Sequence, residues 1–214
     1  MKVPRERAVV FIDGNNWYHA LKNAGFNRLG WLNYAKVSQK IIGTRDWIGT
    51  RYYIGQVQQA GNTQLYADQR KYTAWLKSLD QRISVRFGRL EPRPVENEFA
   101  REMLSYLGNL PVRIDTNVYK HLIAAAKRNE CTTVMVEKAV DVMLAVDMVR
   151  MADRNDYDVA YLLAADGDYT PAVAAATDAG KKVFAVSINA GAALAAVAYK
   201  YIRLQRDWFT DCFG

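Results

Sequence analysis

The stretch from Val159 to Ile188, VAYLLAADGDYTPAVAAATDAGKKVFAVSI, constrains the fold more than any other part of the chain. Its first run, VAYLLAA (159–165), is apolar on both faces that alternate along a strand, so it must be covered from both sides. Thr170 can cap the helix that follows, Pro171 suits an early helical position, and Gly180 ends it before the strand KVFAVSI (182–188). A strand, a helix and a strand in so few residues form the repeating unit of a parallel sheet.

The same alternation runs through the rest of the sequence. AVVFI (8–12), RYYIGQV (51–57) and ISVRFG (83–88) bring the strands to five, and helical patterns fall at 16–24, 34–43, 64–79, 138–154, 170–179 and 191–200. The expected fold is a three-layer α/β/α, Rossmann-like arrangement around a mostly parallel sheet of about five strands. Residues 89–136 break the pattern: Pro92 and Pro94 come early, then helices at 97–107 and 115–128 and a short strand at 132–136. Fewer than about 50 residues seldom build an independent core. This region is therefore read as an insertion in a single domain spanning 1–214, with a C-terminal tail at 200–214.

Charge is distributed unevenly. Residues 1–130 hold 21 basic against 11 acidic side chains, and residues 131–214 hold 8 against 11, giving the net +7. A basic surface around an acidic pocket suits an enzyme that acts on polyanions with a metal ion; a solvated basic face that aids solubility is the plainer alternative. Cys131 and Cys212 lack CxxC spacing, the apolar run near the N-terminus is too short for a signal segment, and nothing approaches a membrane span, so a cytoplasmic protein is expected.

Asp13 follows the first strand directly, and Asp166 and Asp168 follow VAYLLAA. Strand ends in a doubly wound sheet deliver their side chains to a crevice where the strand order reverses, so these three carboxylates converge if the two strands are neighbours. Like charges crowded together call for a cation. Asp141, near the start of EKAVDVMLAVDMVRMA (137–152), sits beside the apolar stripe of its helix and can lean over the strand ends, or can serve only the helix dipole. Asp147 is rotated away from it. Oxygen ligands with no His or Cys nearby favour Mg²⁺ or Mn²⁺ over zinc, and His19 and His121 have no metal-ligand spacing. No G-x-S-x-G elbow and no G-x-G-x-x-G after the first strand is present. Gly14 is expected to let the backbone turn sharply after Asp13.

VVFIDGNN, EKAVDVMLAVDMV and YLLAADGDYTPAVAAATDAGKKVFAV together resemble the NYN domain, the LabA-like branch of the PIN-like nuclease superfamily. The resemblance implies a PIN-like fold and Mg²⁺- or Mn²⁺-dependent cleavage of phosphodiester bonds, usually in RNA. Asp13, Asp141, Asp166 and Asp168 match its acidic metal-binding positions and Asn16 its asparagine; Lys138 and Asp147 match less certain positions. The sequence departs from the pattern where Ala164 and Ala165 replace a Ser-Gly pair, Ala139 replaces a glycine, and Tyr199 stands where an acid is expected.

The expected reaction is hydrolysis of single-stranded RNA by a metal-activated water, with Asn16 orienting a water, a carboxylate or a phosphate oxygen. Arg51, Arg86, Arg89, Lys120 and Lys127 are candidates to track the RNA backbone; Trp17, Tyr18, Trp31 and Tyr169 could stack on bases, although ordinary core packing is the stronger expectation for any one of them. A non-catalytic RNA-binding module with the same fold and metal is the main alternative. A haloacid dehalogenase-like phosphatase is disfavoured because its D-x-D acid is replaced by Asn15. The tail aromatics Trp208, Phe209 and Phe213 are expected to pack on their own chain, with a homodimer contact as the alternative.

Overall fold

The computed structural model describes residues 4–27, 29–59, 62–110 and 113–213. The ends of the chain and residues 111–112 of the expected insertion lie outside them. The chain divides into two compact units, Met1–Arg89 with Lys138–Gly214, and Leu90–Glu137.

In the first unit, β1 (Arg7–Asp13) leads into α1 (Gly14–Asn23) and α2 (Tyr34–Ile42), then β2 (Asp46–Gln56), α3 (Thr63–Leu79) and β3 (Ile83–Glu96), whose second half runs into the other unit. In the second unit β3 is followed by α4 (Glu98–Gly108), α5 (Thr116–Asn129) and β4 (Cys131–Lys138). The first unit resumes with α6 (Val140–Asp153), β5 (Val159–Leu163), α7 (Thr170–Asp178), β6 (Lys182–Ser187), α8 (Ala192–Val197) and β7 (Lys200–Arg203).

The strands hydrogen-bond in the order β4-β3-β2-β1-β5-β6-β7. The pairings of β1 with β2 and β5, of β2 with β3, and of β6 with β5 and β7 are all parallel. The sheet thus has seven strands rather than about five. The added members are β4, expected only as a short strand in the insertion, and β7, which was read as the end of a helix and the start of the tail. β7 is four residues long and pairs only with β6, Phe184 standing opposite Lys200; its partner rather than its own pattern defines it. Among the described residues no helix is long and apolar enough to cross a membrane.

β1 shows why both faces of the sheet are apolar. Ala8, Val10 and Ile12 enter one core cluster with Trp17, Leu21 and Phe209, while Val9 and Phe11 enter the other with Val140, Leu144 and Met148. The tail packs on its own chain: Phe209 is fully buried in the first cluster, and Trp208 and Phe213 pack against it. α7 ends as its glycine predicts. Gly180 has φ +78, its N–H donates to the Thr177 carbonyl, and that of Lys181 donates to the Ala176 carbonyl. Thr170 does not cap the helix; it is the first helical residue, and its hydroxyl donates to the Gly167 carbonyl.

β3 continues through Pro92 and Pro94 where the sequence suggested a break. β2 stops at Gln56, opposite Arg89, so β3 has no β2 partner beyond that point. Asn97 N–H donates to the Glu130 carbonyl. Pro92 and Pro94 fall in this stretch past the end of β2, where a proline breaks no ladder bond to that strand.

Gly14 starts α1 for a reason other than the expected turn. Its φ is not among the positive values of the chain. A Cβ there would lie 2.7 Å from the Tyr53 carbonyl oxygen and 2.6 Å from the Tyr52 ring, so packing against β2 demands glycine. Gly14→Ala should destabilise the protein by about 1–3 kcal/mol in urea unfolding, the usual cost of overpacking; an unchanged midpoint would refute the assignment.

Candidate active site

β1 lies between β2 and β5, and the chain proceeds to one side through β2 and β3 and to the other through β5 and β6. The order therefore reverses at β1 and β5, the position where ligands bind in open α/β sheets. Asp13 is the last residue of β1 and the N-cap of α1. Its Oδ1 accepts the Asn16 N–H at 3.0 Å and its Oδ2 accepts the Tyr169 hydroxyl at 2.8 Å. The residue is 3% exposed.

Asp141 comes from the first turn of α6. Val140, Leu144, Met148 and Ala152, spaced four apart, bury one face of this helix, and Asp141 stands next to that face, exposed. Its Oδ1 lies 3.0 Å from the Tyr169 hydroxyl. Two carboxylates from distant parts of the chain therefore converge on one hydroxyl, which has a single proton to give. Burial, followed by the charges of Asp13 and Asp141, pushes the Tyr169 phenol far above its ordinary pKa, so it stays protonated and donates. Burial above all, with a smaller contribution from Asp141, raises the pKa of Asp13 against the lowering effect of its hydrogen bonds.

The remaining predicted residues occupy the same end of the sheet. Asp166 lies three residues beyond β5, and its Oδ1 accepts the Asp168 N–H at 3.0 Å, capping a 3₁₀ turn at Gly167–Tyr169. Asp166 is half-buried and Asp168 exposed. Asn16 Oδ1 accepts the Ala165 N–H at 3.0 Å. With its own N–H on Asp13, Asn16 ties the end of β1 to the loop after β5. The structure thus joins Asp13 with Asp141 through Tyr169, and Asp166 with Asp168 through their own turn. Among the described residues no three His, Cys, Asp or Glu side chains are grouped to hold a metal ion.

Asp147 turns elsewhere: its Oδ2 accepts the Tyr53 hydroxyl at 2.7 Å and pairs with Arg51 at 3.3 Å. Trp17 and Tyr169 are buried and so cannot stack on bases, whereas Tyr18 and Trp31 are 43% and 63% exposed. Arg86 and Arg89 are exposed, as are Lys120 and Lys127 in the second unit. Tyr199, in the place of an expected acid, packs its ring on Phe184 and under Lys182, at the opposite end of β6 from the site. Tyr169 packs in the core, the stronger expectation for it, but its hydroxyl bonds to the two acids were missed by sequence reasoning. Its signal was a phenol directly after two acids at a buried helix start.

The donor set suits a hard divalent cation. Two negative oxygens share one proton, and Mg²⁺ characteristically takes one or two carboxylates and completes its shell with waters and substrate phosphates. A pre-formed cage of three side chains is not required for it.

Two predictions follow from this geometry. The raised Asp13 pKa means that folded protein binds its proton more tightly than unfolded chain, whose value is near 3.8. Below that value both states hold the proton and the stability is fully present; it falls as pH rises from the unfolded value and is lost once pH has passed the folded one, where the buried charge is carried in full. Asp13→Asn should therefore be more stable than wild type at pH 7 in chelator, with the difference shrinking toward pH 4. Equal melting temperatures at both pH values would contradict this. Ala139, which precedes α6, has φ 68 and ψ 0, a left-handed conformation that costs a residue with a Cβ about 1–2 kcal/mol. Ala139→Gly should stabilise by about 0.5–1 kcal/mol once the greater freedom of unfolded glycine is deducted, read as a higher urea midpoint.

Comparison with known proteins places the fold and the family. No curated protein matches. Among solved structures, a protein of unknown function from Vibrio parahaemolyticus is similar over 97% of this chain and 98% of its own, with 14% identity and a TM-score of 0.54, a likeness of fold. A chain from a study of the mechanism and regulation of Sir2 enzymes aligns over 94% of this chain and 87% of its own, at 9% identity and a TM-score of 0.33. The NYN domain matches residues 7–205, from β1 past β7. The chain belongs to the NYN domain family, within the PIN-like nuclease superfamily.

Proposed function

We propose that the protein is a Mg²⁺- or Mn²⁺-dependent ribonuclease of the LabA-like branch, acting in the cytoplasm on single-stranded RNA. The observation that supports this most is the convergence of Asp13 and Asp141 on the Tyr169 hydroxyl at the switch point of the sheet. In this reading Asp13 and Asp141 hold the cation, with Asp166 and Asp168 reaching in from the loop after β5. A bound divalent ion supplies a water of lowered pKa and neutralises charge that develops on the phosphate. Asn16 holds the end of β1 and the Asp166 loop at a fixed separation. Arg86 and Arg89 offer charge to the RNA backbone, and Tyr18 and Trp31 offer exposed rings to unpaired bases.

The exposed Arg86 and Arg89 and the exposed rings of Tyr18 and Trp31 support a second reading equally well, a non-catalytic RNA-binding module that keeps the fold and the metal. One assay separates the two. Purified protein with Mn²⁺ or Mg²⁺ should cut single-stranded RNA, and both chelator and the substitutions Asp13→Asn and Asp166→Asn should lower the rate at least about 100-fold, as expected when several kcal/mol of charge stabilisation goes with the metal. The same weak background in wild type and variants would end the ribonuclease reading. Salt-sensitive RNA binding without cleavage would establish the module instead.

A further inference from the structure

We propose that the Tyr169 hydroxyl is the positioning group of the acid pair: it holds the Asp13 and Asp141 carboxylates to one point from the protein side and leaves their outer side to a divalent cation. This rests on the metal-dependent reading above and assigns a role to a residue outside the acidic quartet.

Burial orders the three groups from inside to outside. Tyr169 is 1% exposed, Asp13 is 3% exposed, and Asp141 lies at the surface. The Tyr169 ring is fixed in the core cluster of Val140, Leu144 and Ala172, at the end of the turn that Asp166 caps. Its hydroxyl therefore has one place to be, 2.8 Å from Asp13 and 3.0 Å from Asp141. Without it, Asp141 on the exposed first turn of α6 would be free to change rotamer, and Oδ2 of the buried Asp13 would lose its donor.

The sign of the effect follows from the side on which the hydroxyl lies. A group on the solvent side would compete with an incoming ion; one behind the carboxylates orients them and stays in place when the ion arrives. Hydrogen bonds of this kind behind metal ligands are typically worth about 10- to 100-fold in metal affinity.

The test uses the whole protein and Mn²⁺ alone, followed by calorimetry and by loss of the free-Mn²⁺ electron paramagnetic resonance signal. Tyr169→Phe should bind Mn²⁺ about 10- to 100-fold more weakly than wild type, and its RNA cleavage should return as Mn²⁺ is raised. Tyr53→Phe is the matched control: it loses a buried hydroxyl bond to Asp147 at 2.7 Å and should keep wild-type affinity. Equal or tighter binding by Tyr169→Phe overturns the proposal, as does an equal loss in Tyr53→Phe. Proton spectra of Mg²⁺-loaded wild type give a second measurement that needs no variant. The Tyr169 hydroxyl proton should persist far downfield, and its disappearance on loading would mean that the ion displaces it. Wild type that binds no Mn²⁺ at all removes the metal-dependent reading itself, an outcome recognised before any variant is compared.

Discussion

The parallel pairing of β1 between β2 and β5 is the constraint from which the site follows. Ile12 stands opposite Leu163, the last residue of β5, so β1 and β5, from distant parts of the chain, end within one residue of each other. Backbone hydrogen bonds set that register, and the apolar residues on both faces of β1 keep it, because a one-residue slip would exchange the two core clusters. Asp13 is held at the end of a strand that cannot shift. The chain can therefore bury a carboxylate there that it would otherwise leave in water.

That burial creates a tension. Asp13 is opposed by desolvation and by Asp141, and answered by the backbone N–H groups of Asn16 and Asn15 and a share of one hydroxyl proton. A second local cost lies next to the other acid, where Ala139 takes a left-handed conformation to start α6. Both costs fall on residues that position Asp13 and Asp141, and local costs of this kind cluster at functional sites. By contrast, the charged groups at the far end of the sheet are matched: Glu6 accepts from Lys182 and Arg45, which hold its pKa below the usual value, and Arg7 pairs with Asp158.

Much of this was legible because strands and helices write their own periods. The start of β1, the start of β3 and both ends of β6 fall within one residue of the apolar runs, and the positions of Asp13 and Asp166 follow from where those runs stop. β7 was not legible, since KYIR is strand only through its bonds to β6. β2 begins at Asp46, before the expected Arg51, because DWIGT carries a glycine and a charge that its own pattern cannot distinguish from loop. Tyr169 shows a different limit. Sequence placed it beside the acids and favoured a ring packed in the core, but residue pattern alone could not show that its hydroxyl would reach two carboxylates from distant parts of the chain.

The departures from the family pattern find their explanation in what holds the site. Ala165 contributes through its N–H, which bonds Asn16 whatever its side chain is. Ala164 is fully buried, where a serine hydroxyl would need a partner. Tyr199 lies at the other end of β6 and packs on Phe184, beyond reach of Asp13. Only Ala139 carries an evident penalty, and it is one of conformation rather than of lost chemistry. Backbone groups, the Asn16 amide and the Tyr169 hydroxyl hold the arrangement, so a chain can exchange the small residues between the acids while the acids remain where the strands place them.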